Sequence, residues 1–265
     1  MLHTRTTFLD YNWPLKEAQV IFAGVPFVST ATNYAAPYGP VMVRSSLAVA
    51  EDYISQKNMH LFEKLRICDI GDVNCVHGSF DVTSRRIKQT IRHVKEEAKP
   101  RFWIFIGGDH SVTLPIVQGL KAKTVVVLDA HDDLNKMEVE HSHATWARHA
   151  KRNAEIYFFG TRTWGKEEEE DRKLHQLKIE DLPSLTLKRP VHLSLDIDCF
   201  SPSFIGKTGY FEGTLRPEDV HPILSSIRFS SMDVVEIADT ELPSKSGFLA
   251  AEMIKRVLAF SVLGI

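Results

Sequence analysis

The stretch TVVVLDAHDDLN, residues 124–135, combines an apolar run with a dense group of polar side chains. The run TVVVL is short and rich in β-branched residues, which is typical of a strand buried on both faces of a parallel sheet. It leads directly into Asp129, His131, Asp132 and Asp133. In open α/β sheets, functional sites form beyond the carboxyl ends of the strands. The stretch therefore predicts a buried strand that ends at a functional site.

The rest of the chain repeats this strand pattern in alternation with amphipathic segments. Further strands are predicted at 19–26, 102–108, 155–160, 190–198 and 232–238, with a weaker candidate at 65–73. Helices are predicted at 39–54, 84–98, 111–120, 216–227 and 246–260. This alternation predicts an α/β fold with a mostly parallel sheet and helices on both of its faces. We expect residues 1–265 to form a single domain, since we find no internal repeat or flexible linker.

Composition excludes several classes of protein. The chain has 265 residues, 43% of them hydrophobic, and a formal net charge of −2, which argues against nucleic-acid binding. No stretch approaches the ~20 apolar residues of a membrane helix, and the first residues lack the layout of a signal peptide. The three cysteines include no C-x-x-C pair, and we interpret them as reduced thiols in a cytoplasmic protein.

Polar side chains follow three of the predicted strands. They are Asp109 and His110 in FWIFIGGDHS, Asp129, His131 and Asp133 in TVVVLDAHDD, and Asp196 and Asp198 in HLSLDIDCFS. In an extended segment, residues at i, i+2 and i+4 share one face, so Asp129, His131 and Asp133 are expected to point into one cleft and Asp132 away from it. A single pair of such acids is more typical of a turn at the end of a strand. Three sets of polar residues, at the ends of three predicted strands, favour a bound metal ion.

Divalent cations would remove the electrostatic conflict in such a cleft. Four desolvated carboxylates cannot all remain charged and unpaired, because like charges raise one another's pKa values. Two cations suit this number of ligands better than one. A carboxylate-rich set with some imidazole favours Mn²⁺ or Mg²⁺ over Zn²⁺.

Three segments of the chain resemble the signature motifs of the ureohydrolases, the family of arginase, agmatinase, formimidoylglutamase and guanidinobutyrase. They are GGDHS (107–111), DAHDD (129–133) and SLDIDCFSP (194–202). The supporting matches are GVP (24–26), TNYAAPYGP (32–40) with Arg44, DIGDV (69–73), GTR (160–162) and DVVEI (233–237). The resemblance implies a three-layer αβα fold with a mostly parallel sheet of roughly eight strands.

The resemblance also implies a ligand set for two Mn²⁺ ions per subunit. One ion would be held by His110, Asp129, Asp133 and Asp196, and the other by Asp129, His131, Asp196 and Asp198. Asp129 and Asp196 would bridge the two ions, while Asp132 falls at a variable position of the motif. Asp109 is expected to support His110 rather than to bind metal.

The catalytic residues implied by the family are His143, Glu236 and Asp133. His143 in the segment HSHATW matches the proton shuttle, with His141 as the competing candidate. Glu236 matches the acid that holds the guanidinium through paired hydrogen bonds. Asp133 would also accept a hydrogen bond from the leaving nitrogen. The other histidines are expected to have surface or packing roles.

The match to the agmatinase branch is partial. Ala35 stands where that branch often has Arg, Ser201 replaces the last Asp of D-x-D-x-x-D-P, and TGYFEGTL (208–215) replaces the proline-containing loop that borders the family's pocket. We expect a cytoplasmic homo-oligomer, a trimer or hexamer, that hydrolyses a small cationic guanidino substrate, agmatine above all, to putrescine and urea in polyamine biosynthesis. The alternatives are guanidinobutyrase, arginase or formimidoylglutamase activity, and a catalytically silent metal-binding homologue with a regulatory role.

Overall fold

A parallel sheet of seven strands forms the centre of the fold. The computed structural model describes residues 12–28, 37–54, 57–138, 140–165 and 176–265. The motif match TNYAAPYGP at 32–40 and the highly charged segment GKEEEEDRK at 165–173 lie largely outside these residues. The strands are β1 Val20–Val25, β2 Tyr53–Ile54, β3 Met59–His60, β4 Ile67–Asp72, β5 Phe102–Gly107, β6 Thr124–Leu128, β7 Glu155–Phe159, β8 Val191–Asp196 and β9 Ser231–Val235.

The order of the strands brings the polar strand ends together. The sheet runs β4-β1-β5-β9-β8-β6-β7, and every neighbouring pair is parallel. The described residues thus give a sheet of seven strands where roughly eight were expected. The short strands β2 and β3 form a separate antiparallel pair. The four central strands, β5, β9, β8 and β6, are adjacent, so all their carboxyl ends meet at one edge of the sheet.

Six helices cover the two faces of the sheet in the described part of the chain. They are α1 Gly39–Val49, α2 Phe80–Glu97, α3 Thr113–Leu120, α4 Trp146–Ala150, α5 His221–Ser226 and α6 Lys245–Leu258. On one face α1 packs against α6, and on the other α2 packs against α3, which also contacts α4. Successive residues of β1 point to opposite faces of the sheet. Phe22 belongs to the hydrophobic cluster under α1 and α6, and Ile21 belongs to the cluster under α2. The αβα layering is confirmed.

Two helices are shorter than the sequence predicted. The helix expected over 39–54 ends at Val49, and the antiparallel pair of β2 and β3 follows it in the chain. The helix expected over 216–227 begins only at His221, with Pro222 in its first turn, where a missing N–H costs nothing. The short helix α4 was not predicted, because five residues are too few for a hydrophobic period. Among the described helices, none combines the length and the hydropathy that crossing a bilayer requires.

Candidate metal centre

Three carboxylates surround the imidazole of His110. His110 follows β5 in a 3-10 turn, and its Nδ1 lies 3.1 Å from Oδ2 of Asp129, 3.1 Å from Oδ2 of Asp133 and 3.1 Å from Oδ2 of Asp196. The three acids come from the ends of β6 and β8. All four side chains are at most 8% exposed. They could hold one cation between the imidazole and the carboxylates.

A second group of the same kind lies around His131. The Nδ1 of His131 is 3.1 Å from Oδ2 of Asp198 and 3.5 Å from Oδ1 of Asp129. Asp129 therefore presents Oδ2 to the His110 group and Oδ1 to the His131 group. This is the arrangement that a carboxylate bridging two cations requires. The six residues expected to ligate metal are thus brought together by the fold.

Asx-type turns, rather than a continued strand, direct these side chains. The strand β6 ends at Leu128, and Oδ1 of Asp129 accepts a hydrogen bond from the His131 amide at 2.7 Å. In the same way Oδ1 of Asp196 accepts from the Asp198 amide at 2.8 Å, at the last residue of β8. The expectation of an extended segment at 129–133 was therefore wrong. Asp at i with a polar residue at i+2 is a turn pattern, in which the carboxylate bonds the backbone two residues on.

Burial and mutual repulsion make this cluster electrostatically demanding. Burial raises the pKa of Asp129, and the neighbouring charges of Asp198 and Asp133 raise it further. Asp196 has its pKa raised well above the usual value by burial and by the charges of Asp198 and Asp129. Burial acts to lower the pKa of His131, but hydrogen bonds to Asp129 and Asp198 raise it to about 12. The carboxylates therefore need positive charge beside them.

The donor set fits a pair of divalent cations. Within the described parts of the chain, His110 Nδ1 and Asp129 Oδ2 are buried and have no hydrogen-bond partner. A buried polar atom without a partner costs about 1–3 kcal/mol, so both atoms are expected to contact a further group. Two sets of carboxylate and imidazole atoms lie within 4.8 Å of one another, namely His110 with Asp129 and Asp196, and Asp129 with His131 and Asp198. The chain thus has a candidate centre for two divalent cations.

A buried polar network holds the His110 ring through Nε2, the ring nitrogen that does not face the three carboxylates. Its Nε2 lies 2.9 Å from Oγ of Ser194, which donates to Oδ1 of Asp233 at 2.7 Å. Oδ2 of Asp233 in turn contacts Nε2 of His192 at 2.9 Å and accepts from Thr113 at 2.8 Å. Ser194, His192 and Asp233 are fully buried between β8 and β9. Such partners set which ring nitrogen faces a metal.

Sequence reasoning missed this network and one further residue. His192 had been assigned a surface or packing role, although His at i and Ser at i+2 in the apolar run VHLSLD already indicated a polar stripe. Trp146, in α4, donates from Nε1 to Oδ2 of Asp133 at 2.7 Å, and its ring lies 4.7 Å from that of His110. No periodic signal pointed to it. Asp133 adopts φ 51°, a left-handed conformation that Asp tolerates better than most residues.

A cavity of about 360 Å³ opens above the two histidine groups. Of the described residues that line it, six are acidic, three are histidines and none is Lys or Arg. Its walls include His143 and Glu236, whereas His141 stacks on Phe80 at 4.6 Å and is not among the lining residues. Asp132, expected to point away, is buried and lines the cavity as well; its Oδ1 accepts from the Leu134 amide at 3.3 Å.

Glu236 stands immediately after β9, beside the His110 group. Its φ of 61° is left-handed, and its Oε1 accepts a hydrogen bond from the His110 amide at 2.8 Å. Burial and the charge of Asp109 raise the pKa of Glu236 to about 8. A left-handed backbone conformation such as that of Glu236 persists only where the surrounding structure imposes it, and such residues cluster at functional sites. Oδ1 of Asp109 accepts hydrogen bonds from the amide and the hydroxyl of Ser111, so Asp109 caps the turn that carries His110.

The unusual loop at 208–215 forms one side of the cavity mouth. Thr208, Gly209, Tyr210 and Glu212 line the cavity, and Phe211 is 57% exposed. Gly213 leaves no room for a side chain, because a Cβ there would overlap the backbone oxygens of Asp198 and Phe200. The loop is thereby held against the turn that follows β8.

Comparison with known proteins agrees with this geometry. The model of the Arginase family matches residues 18–259. The chain therefore belongs to the arginase family, and it is a hydrolase of C–N bonds.

Two curated relatives align with nearly the whole of this chain. The N(1)-aminopropylagmatine ureohydrolase of Thermococcus kodakarensis is 32% identical over 96% of this chain and 95% of its own length. The agmatinase of Pyrococcus horikoshii is 30% identical over 98% of this chain and 99% of its own length. Among solved structures, proclavaminate amidino hydrolase from Streptomyces clavuligerus superposes with a TM-score of 0.82 at 20% identity, covering 99% of both chains, which is a likeness of fold.

Proposed function

We propose that this chain hydrolyses agmatine to putrescine and urea, with two Mn²⁺ ions per subunit as cofactor. The charge of the cavity carries the proposal. Three of the acidic lining residues, Asp132, Glu212 and Glu236, are not proposed metal ligands, and the described lining contains no Lys or Arg, which favours a substrate that is cationic throughout. Agmatine has a guanidinium at one end and an ammonium at the other, so it matches this cavity at both ends.

The proposed ligands divide into two sets that share carboxylates. His110, Asp129, Asp133 and Asp196 would hold one ion, and Asp129, His131, Asp196 and Asp198 the other. Hard oxygen donors with one imidazole per ion suit Mn²⁺. When bound, the pair of ions supplies a water molecule activated for nucleophilic attack at neutral pH.

The remaining steps fall to side chains of the cavity wall. Glu236 would hold the guanidinium with the carboxylate oxygen that does not accept from the His110 amide. His143 would deliver a proton to the departing amine nitrogen, because urea can be released only when that nitrogen leaves as a neutral amine. Asp133, fixed by the indole of Trp146, would accept a hydrogen bond from the same nitrogen.

N1-aminopropylagmatine is the second candidate substrate. The relative from Thermococcus kodakarensis, which is named for it, is 32% identical over 96% of this chain. This compound is also cationic throughout, so the same acidic cavity suits it. Arginine, guanidinobutyrate and formimidoylglutamate all carry carboxylates, which would face Asp132, Glu212 and Glu236 without a described basic residue in the lining. A catalytically silent homologue is disfavoured, because His143 and Glu236 both line the cavity.

Family membership also supports a homo-oligomer, a trimer or hexamer, and we propose a cytoplasmic role in polyamine biosynthesis. All three cysteines are free, and Cys68 and Cys199 are buried, as expected of a chain that needs no disulfide. Sedimentation equilibrium of the metal-loaded protein would test the oligomer: a monomer mass would contradict it.

A screen of urea release tests the activity. The protein is loaded with Mn²⁺ and given agmatine, N1-aminopropylagmatine, arginine, guanidinobutyrate and guanidinopropionate in turn, with formimidoylglutamate followed by formamide production. We expect turnover of agmatine with a kcat/KM at least tenfold above that of any carboxylate-bearing compound, a difference of about 1.4 kcal/mol. Turnover of a carboxylate-bearing compound alone would contradict the assignment, and no turnover of any compound would favour the silent homologue.

A further inference from the structure

Two side chains at the cavity mouth, those of Glu212 and Tyr210, lie at the outer edge of His131, and Trp164 lines the same cavity. Its Nδ1 faces the carboxylates of the metal centre, while its Nε2 lies 3.8 Å from Oε2 of Glu212. The ring of Tyr210 meets the His131 ring edge-on, with centroids 5.1 Å apart. Trp164 follows Thr163, which forms a parallel bridge with His131, and it lines the same cavity. A carboxylate and two aromatic rings therefore border one corner of the mouth.

The loop that carries Tyr210 and Glu212 is anchored at both ends. At its start, the amide of Lys207 donates to Oδ1 of Asp239 at 2.5 Å. At its end, the amide of Leu215 donates to the Cys199 carbonyl at 3.1 Å, and the close approach of Gly213 presses the loop against Asp198. The two side chains are thus presented from a defined backbone position beside the metal centre.

This corner has the chemistry that binds organic ammonium groups. A carboxylate supplies opposite charge, and aromatic faces attract cations that approach within ~6 Å of the ring. Tyr210 and Trp164 both line the cavity and are 43% and 39% exposed. Glu236, the proposed guanidinium ligand, lies beside His110, whereas Glu212 lies beside His131. The two acids therefore lie beside different histidine groups of the metal centre, which suits a substrate with two cationic ends.

We propose that Glu212, together with Tyr210 and Trp164, binds the distal ammonium of the substrate and selects guanidino compounds with a cationic tail. The inference rests on the proposed hydrolysis of agmatine and assigns the specificity to named residues. It gives a reason for the replacement of the proline-containing loop by TGYFEGTL at 208–215. The longer diamine tail of N1-aminopropylagmatine would engage the same corner.

Glu212 has one competing role, which is to orient His131 through Nε2. At 3.8 Å the contact exceeds hydrogen-bond distance, and 44% of the Glu212 side chain is exposed, so the carboxylate is open to a ligand. The two roles differ in their consequences. A residue that acts through His131 affects Mn²⁺ binding and every substrate alike, whereas an ammonium ligand affects only substrates that carry the ammonium.

The experiment compares agmatine with 1-butylguanidine, which has the same chain and no amine. For Mn²⁺-loaded wild-type, Glu212→Gln, Tyr210→Ala and the control Glu63→Gln, kcat/KM is measured for both compounds, and Mn²⁺ affinity is measured by calorimetry. We expect Glu212→Gln to lower the agmatine/butylguanidine ratio at least about fivefold, as the loss of a partly exposed ion pair implies. Tyr210→Ala should lower the same ratio, while Glu63→Gln, an exposed charge remote from the cavity, keeps the wild-type ratio.

Other results would separate a failure of the inference from a failure of the proposed function. A ratio within twofold of wild type in Glu212→Gln overturns the inference while leaving the hydrolase assignment intact. A parallel loss for both compounds together with weaker Mn²⁺ binding also overturns it and assigns Glu212 to the orientation of His131. If wild type hydrolyses neither compound, the proposed function fails, and the ratio of the two dissociation constants from calorimetry then decides the inference by the same fivefold criterion.

Discussion

Replacing Trp146 by Phe should weaken metal binding without unfolding the protein. The indole Nε1 donates to Asp133 Oδ2 at 2.7 Å, and that oxygen is the one 3.1 Å from Nδ1 of His110. The substitution keeps an aromatic ring in a site that is 1% exposed but removes a buried hydrogen bond to a carboxylate. Such a bond contributes about 1.5–3 kcal/mol. Loss of an outer partner of a metal ligand typically reduces affinity about 10- to 100-fold.

Calorimetric titration of Mn²⁺ into metal-free protein measures this effect. Trp103→Phe is the matched control, because Trp103 is 5% exposed and lies near the start of β5, at the end of the sheet remote from the site. We expect the control to lower the melting temperature while keeping the Mn²⁺ affinity of wild type. Wild-type affinity in Trp146→Phe, with both proteins folded, would refute the view that this indole holds Asp133 in a ligating position.

Four further changes test other parts of the account. Asp129→Asn removes the shared carboxylate, and we expect loss of both ions in metal analysis and activity at background. Ser194→Ala leaves Oδ1 of Asp233 and Nε2 of His110 without this hydroxyl partner, which should destabilise the fold by about 1–3 kcal/mol in urea titrations. His143→Ala should lower kcat about 10²- to 10⁴-fold, while His141→Ala stays within a few-fold of wild type. Chelation should lower the melting temperature, since each site at 100 times its Kd adds about 2.7 kcal/mol.

The sequence determined most of the fold through hydrophobic pattern alone. The apolar runs at 102–108 and 124–130 correspond to β5 and β6, because a strand buried on both faces must be apolar throughout. Even the weak candidate at 65–73 is a strand, β4, at the edge of the sheet. The pairing order was not readable from the sequence, since β9, the last strand in the chain, inserts between β5 and β8.

The candidate site was predictable in its members but not in its local geometry. Spacing and motif resemblance identified the six residues around His110 and His131, which the fold brings within a few ångströms of each other. The turns at Asp129 and Asp196 were missed, because period-two spacing describes both a strand face and an Asx turn. Contacts between distant parts of the chain, such as Trp146 to Asp133 and Ser194 to Asp233, leave no local signal.

Anomalous X-ray scattering from crystals of this protein grown with Mn²⁺ tests the central claim most directly. We expect two peaks per subunit, one beside His110 and one beside His131, about 3.5–4 Å apart with Asp129 between them. Glu236 and His143 should face the same pair of ions across the cavity. A single peak, or manganese bound only at other carboxylates with the six side chains hydrogen-bonded to one another, would contradict it.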